Sequence, residues 1–209
     1  MTVNVLALFA NFGSASVWLS TPFFMLGDLN RPVIIGHSWV TRLKNSNLLP
    51  DYYEFVDLPG GNLFNLVNKI NLIPINQDND YVFVFLGGND IDNCASTKDV
   101  PDLFEHYQNF ICLIRQVYPH ARIVTAQVED RFVVEEGKLQ INQDFKRKSN
   151  KFNKWLNALE SKDGLLPIKG VNFLSGSCWY SWDGVHLNHA GEVKLAAILR
   201  DCYDNRMAG

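Results

Sequence analysis

"DYVFVFLGGND", residues 80–90, carries an unbroken run of β-branched and aromatic residues from Tyr81 to Phe85 and then stops at two glycines, an asparagine and an aspartate. A strand with one face in water alternates apolar and polar residues, so a continuous apolar run of this length marks a strand covered on both faces, as in parallel sheets. The chain on either side repeats the pattern of strand, then helix. Before it stand "PVIIG" (32–36) as a short buried strand with "SWVTRLKNSNLL" as its helix, then "YYEFVDLPGG" with "NLFNLVNKINLI". After it, "VPDLFEHYQNFICLIRQVYP" places Leu103, Phe104, Tyr107, Phe110, Ile111, Ile114 and Val117 at helical spacing. "ARIVTAQV" reads as a fourth strand, "FVVEEGKLQINQD" as a hairpin-like excursion and "FKRKSNKFNKWLNALE" as a helix. "VNFLS" (171–175) reads as the last strand and "NHAGEVKLAAILRDCYD" as the closing helix.

Strands alternating with helices imply parallel strands joined by right-handed crossovers. The expected fold is therefore a three-layer α/β/α sandwich around a central, mostly parallel five-stranded sheet. One domain over residues 31–209 follows an apolar leader, residues 1–30. Such sheets hold their ligands beyond the carboxyl ends of the strands, which is where functional residues are sought.

Composition narrows the function classes. The 209 residues are 47% hydrophobic and 20% charged with 8 prolines, an ordinary globular composition. A net charge of −3 creates no general field for phosphate backbones or anionic membranes, which makes nucleic acid an unexpected partner. The cysteines, Cys94, Cys112, Cys178 and Cys202, lack the CxxC spacing of zinc or dithiol sites. The leader lacks the basic start of a signal peptide, and no asparagine stands in an N-x-Ser/Thr sequon, which together favour a cytoplasmic setting. No apolar run reaches the roughly 20 residues of a spanning helix.

Four clusters follow four strands. Ser38 begins a helix after "VIIGH", either as an N-cap or as a nucleophile at a helix N-terminus. Gly60 and Gly61 follow the second strand, as a turn or as a backbone N–H donor. Asn89 in "GGND" is a turn residue or a side-chain amide donor at the same edge as Ser38. In "DGVHLN", Asp183 and His186 stand three apart across a glycine-containing turn. That spacing lets the carboxylate accept from Nδ1–H and frees Nε2 as a base, although a surface turn or half a metal site has the same pattern. The other histidines share no ligand spacing with His186. Each cluster alone is ambiguous, but together they supply the parts of acyl-transfer chemistry at successive strand ends.

On these residues the chain resembles the SGNH hydrolases, or GDSL esterases and lipases, from about Val33 to Leu199. "IIGHSW" is similar to the first family block, "PGGNL" to the second, "LGGNDI" to the third and "DGVHLNHAG" to the last. The resemblance implies Ser38 as nucleophile, His186 as base and Asp183 as its orienting acid. It implies an oxyanion hole from the N–H of Ser38, the N–H of Gly61 in preference to Gly60, and the amide of Asn89. It implies hydrolysis of oxygen esters, such as short-chain acyl, acetyl or lysophospholipid esters, on an acyl ester, lipid or acylated glycan substrate, with neither metal nor organic cofactor. Position 37 departs from the pattern, with His where the family commonly has Asp. Gly-His-Ser variants look similar to esterase domains linked to some retrotransposons, and a related germ-plasm domain is a non-catalytic RNA binder. The rival expectation is therefore an RNA-binding module using the basic stretch Lys146 to Lys154 along one helix. The aromatic "CWYSW" before the Asp–His turn is expected either to line a substrate pocket or to pack.

Overall fold

The computed structural model describes residues 31–73, 79–167 and 176–207, so the leader and the expected strand "VNFLS" lie outside the described residues. Five strands form one parallel sheet in the order β2-β1-β3-β4-β7. They are β1 (Val33–Gly36), β2 (Glu54–Asp57), β3 (Tyr81–Phe85), β4 (Arg122–Thr125) and a two-residue β7 (Leu166–Pro167). A separate antiparallel hairpin, β5 (Phe132–Glu135) with β6 (Lys138–Ile141), occupies the expected excursion.

Successive strand residues point to opposite faces, and each face has its own core. Val33, Ile35, Val82, Val84 and Ile123 pack against α2 (Leu63–Ile70), α4 (Val100–Val117) and α5 (Gln143–Asp163). Ile34, Phe83, Phe85 and Val124 pack against α1 (Ser38–Ser46) and α6 (His189–Met207). The result is the expected α/β/α sandwich, and all five residues of β3 are buried because both of its faces are covered.

The sequence reading missed the short edge strand β7 and one helix. "GGND" is the start of a short helix, α3 (Gly88–Asn93), so Asn89 sits in a first helical turn.

The break at Gly36 has a steric cause. Gly36 pairs with Asp57 on one side and Phe85 on the other, and a methyl group on it would stand 2.6 Å from both the Phe85 carbonyl oxygen and Val40 Cγ2. The chain can turn from β1 into α1 this close to β3 only without a side chain. Gly36→Ala is expected to cost about 1–3 kcal/mol by overpacking; urea unfolding of the variant beside wild type measures it.

Candidate active site

Because β1, β2 and β3 end in one paired row, the segments that follow them emerge side by side at the carboxyl edge. The cap of α1 is His37, whose carbonyl accepts from the N–H groups of Val40 (2.9 Å) and Thr41 (3.1 Å). Ser38 is thus the first helical residue rather than the cap. It is half-buried and lines a cavity of about 40 Å³ together with His37, Phe85, Val128, Glu129, Arg131 and other residues.

"LPGG" folds as a tight turn in which the Gly61 N–H donates to the Leu58 carbonyl at 3.0 Å. Pro59 and a positive φ of 67° at Gly60 fit its two corners. The Gly61 carbonyl in turn accepts from Asn89 Nδ2 at 2.8 Å, joining the second and third clusters. The neighbouring Asp90 strengthens this junction: its Oδ1 accepts from the N–H of Leu63, the first residue of α2, at 2.9 Å.

Asp183 and His186 meet as their spacing suggests. Asp183 Oδ2 lies 2.8 Å from His186 Nδ1, while Oδ1 accepts from the backbone N–H groups of Val185 and His186, both at 2.9 Å. Burial works to raise the Asp183 pKa, but the hydrogen bonds from His186 and Val185 outweigh it and hold the carboxyl at about 2. The carboxylate is therefore ionised wherever an imidazole base would operate, and it fixes Nδ1 as the protonated nitrogen. The turn is tied to the start of α1 by Trp39 Nε1, which donates to the Val185 carbonyl at 3.0 Å. Ser38 and Val185 line the same cavity. Among the described residues no hydrogen bond joins the Ser38 hydroxyl to the imidazole; in substrate-free sites this contact is often long and tightens around substrate.

Three side chains that sequence reasoning did not single out as site residues complete the surroundings. Arg131 Nη2 donates to Asn89 Oδ1 at 2.7 Å, and its Nη1 pairs with Asp92. Glu129 lines the cavity with an unpartnered, buried Oε1; burial, reinforced by Asp130, pushes its carboxyl up to about 8. His37 is 8% exposed, and burial, with lesser effects of Arg131 and His186, pulls it down to about 4, so the ring is neutral at pH 7.

Two stretches left open between alternatives take the packing reading in most of their residues. The basic stretch is largely spent on internal contacts. Lys146 pairs with Asp130, Arg147 and Lys148 with Asp144, Lys148 also donates to the Cys94 carbonyl, and Lys151 donates to the Thr97 carbonyl. Phe152 on the same helix is fully buried. The RNA-binding alternative is accordingly not favoured. Of "CWYSW", Tyr180 is buried against Trp39 and Phe132, whereas Trp182 is 83% exposed; none of the five lines the cavity beside Ser38.

Comparison with known proteins fits this geometry. Residues 36–193 match the model of the GDSL-like lipase/acylhydrolase family. The chain belongs to that family. Among solved structures it is similar to a GDSL-like lipase from Bacteroides thetaiotaomicron, at 15% identity and a TM-score of 0.67 over 85% of this chain and 89% of that one. It is also similar to phospholipase A1 from Streptomyces albidoflavus, at 15% identity and a TM-score of 0.63 over 82% and 98% of the two chains. The aryl esterase of M. smegmatis matches at 13% identity and a TM-score of 0.61 over 84% and 99%. At these identities the likeness is one of fold. No curated protein matches the chain in sequence. The three bacterial structures carry no bearing on a retrotransposon link. Among the described residues no helix is long and apolar enough to cross a membrane.

The two displaced cavity groups should give opposite pH signatures. With a folded pKa near 4 against about 6.5 unfolded, His37 stabilises fully above 6.5, and that contribution is lost as pH falls toward 4. With a folded pKa near 8 against 4.5, Glu129 stabilises fully below 4.5, and its contribution is lost as pH rises toward 8. Urea unfolding between pH 4 and 8 is expected to show His37→Gln losing the acid-side fall and Glu129→Gln gaining on wild type as pH rises. A wild-type-like profile for either variant would contradict the burial of that group in its uncharged form.

Proposed function

We propose that the protein is a serine esterase that hydrolyses short-chain oxygen esters through Ser38, His186 and Asp183. The observation that carries this reading is the hydrogen bond from His186 Nδ1 to a carboxylate held ionised, with Trp39 tying the same turn to the helix that Ser38 begins.

In the first half-reaction His186 Nε2 takes the Ser38 hydroxyl proton as the oxygen attacks the ester carbonyl carbon. The tetrahedral intermediate collapses, and the alcohol leaves with the proton that His186 returns to it. In the second half-reaction water is deprotonated by His186, attacks the acyl-Ser38 carbonyl and releases the carboxylic acid, restoring the serine hydroxyl. Asp183 supports the imidazolium formed in each half without taking a proton.

The negative oxygen of the intermediate needs fixed donors. Ser38 offers its N–H at the start of α1, where the helix dipole adds to the field. Asn89 has two amide hydrogens; one is given to the Gly61 carbonyl and the other remains for substrate. Gly61 is the third donor of this proposal, adjacent to Asn89, and its N–H must share or leave the Leu58 carbonyl to serve an oxyanion.

Cavity size supports a short acyl group. A water takes about 10–15 Å³ of such space, so about 40 Å³ beside Ser38 has room for an acetyl-sized substituent.

Hydrolysis of p-nitrophenyl esters tests the proposal. Acetate is expected to be turned over with higher kcat/KM than octanoate, and Ser38→Ala to abolish turnover while remaining folded. Asn89→Ala is expected to lower kcat by about 10²–10³ with KM little changed, because an oxyanion donor acts on the transition state more than on bound ester. Full activity in Ser38→Ala would reject the assignment. A destabilised but fully active Asn89→Ala would reduce Asn89 to a turn residue.

A further inference from the structure

Building on the esterase reading, we propose that Arg131 is a positioning residue that fixes which end of the Asn89 amide faces the reacting carbonyl oxygen. An asparagine amide is nearly symmetric in shape, yet its two ends are opposite in function here. Nδ2 stabilises an oxyanion, and Oδ1 in the same place would repel it.

Two contacts break the symmetry. Asn89 Nδ2 donates to the Gly61 carbonyl at 2.8 Å, and Asn89 Oδ1 accepts from Arg131 Nη2 at 2.7 Å. Turning the amide over would set its N–H groups against a guanidinium, which has only donors, and its oxygen against the Gly61 carbonyl. Both contacts would become repulsive at once. The arginine contact is the stronger, since a hydrogen bond from a charged donor is roughly twice as strong as a neutral one. The guanidinium also draws electron density toward Oδ1, which makes the remaining Nδ2–H a better donor.

Arg131 can do this because it is itself held. It pairs with Asp92, one turn along α3 from Asn89, and its guanidinium lies 5.0 Å from the centre of the Phe145 ring. Its side chain is only 12% exposed. Burial pulls the group down to about 10, so it remains charged at neutral pH. The backbone is pinned as well: the Arg131 carbonyl accepts from the Asn142 N–H at 2.8 Å, and the next residue, Phe132, donates its N–H to the Gly184 carbonyl at 2.9 Å. The dipeptide Arg131–Phe132 thus touches the oxyanion amide through one residue and the Asp183–His186 turn through the other. It sets the two halves of the site in register.

A double-mutant cycle on the full chain with p-nitrophenyl acetate tests this, using Arg131→Met and Arg131→Lys in the wild-type and Asn89→Ala backgrounds. Arg131→Met is expected to lower kcat by about ten- to a hundredfold with KM within about twofold, as for loss of orientation at the reacting centre. Arg131→Lys, which keeps the charge but not the fork, should fall between wild type and Arg131→Met. In the Asn89→Ala background, where no amide remains to be oriented, Arg131→Met should cost less than about threefold more. Equal losses in both backgrounds, or a change in KM alone, would overturn the proposal. A second readout is independent of turnover: the side-chain ¹⁵N–¹H signals of Asn89, identified by their absence in Asn89→Ala. Arg131→Met is expected to shift or broaden them, and Arg131→Lys, the milder variant should Arg131→Met not fold, to do so partially. Unchanged Asn89 signals would reject the role of Arg131 even in a protein with no esterase activity. Missing Ser38-dependent turnover with altered Asn89 signals would reject the esterase reading and leave the orientation intact.

Discussion

Everything at the carboxyl edge depends on β1, β2 and β3 stopping in register, at Gly36, Asp57 and Phe85. Parallel pairing fixes the height of each strand relative to its neighbours. The segments leaving those strands therefore start from a common level. Ser38 lies two residues beyond its strand end, and Gly61 and Asn89 each lie four beyond theirs. With starting points this close, the serine, the tight turn and the first helical turn leave the same edge of the sheet with no long loop.

The proposed catalytic groups are placed chiefly by their neighbours. Trp39, the residue after Ser38, donates to the Val185 carbonyl; Asp90, the residue after Asn89, accepts from the Leu63 N–H; and Phe132 donates to the carbonyl of Gly184, between Asp183 and His186. Reacting groups must keep unspent hydrogen-bonding capacity: a hydroxyl to give up its proton, an imidazole nitrogen to receive it, an amide hydrogen for the oxyanion. Rigidity has to come from adjacent residues that can be fully satisfied. Each such bond adds about 0.5–1.5 kcal/mol net, more where a charge takes part. Several together suffice to hold geometry without consuming the groups that react.

What the sequence discloses and what it conceals divide by range. The strand and helix alternation was legible because a strand covered on both faces must be continuously apolar, as in Tyr81 to Phe85. The Asp183–His186 contact was legible because it is local, three residues apart across one turn. Arg131 was not. Its partner lies 42 positions away, and no periodicity or motif links an arginine at the root of a hairpin to an asparagine after another strand. The basic stretch left a rival reading open for a related reason. Lys146, Arg147, Lys148 and Lys151 look like a charged surface in one dimension, but their acceptors, Asp130, Asp144 and the Cys94 and Thr97 carbonyls, come largely from other segments. Helix α3 escaped because six residues opening with Gly-Asn-Asp carry turn chemistry and too few apolar positions to show a period.

The histidine at position 37 follows from the same electrostatics. A methyl group on Gly88 would stand 3.1 Å from Arg131 Nη2 and 3.6 Å from His37 Nε2, so the imidazole and the guanidinium meet above one glycine. A carboxylate at position 37 would face Arg131 there and compete with Asn89 and Asp92 for its donors. Burial keeps the imidazole neutral down to about pH 4, and the Arg131 charge opposes its protonation further. A neutral ring leaves the guanidinium to Asn89 and Asp92 and adds no second positive charge beside His186, whose protonated form must appear and vanish in each turnover of the proposed reaction. The departure from the family pattern at this position is therefore compatible with the proposed chemistry, because a neutral imidazole leaves Arg131 to Asn89 and Asp92.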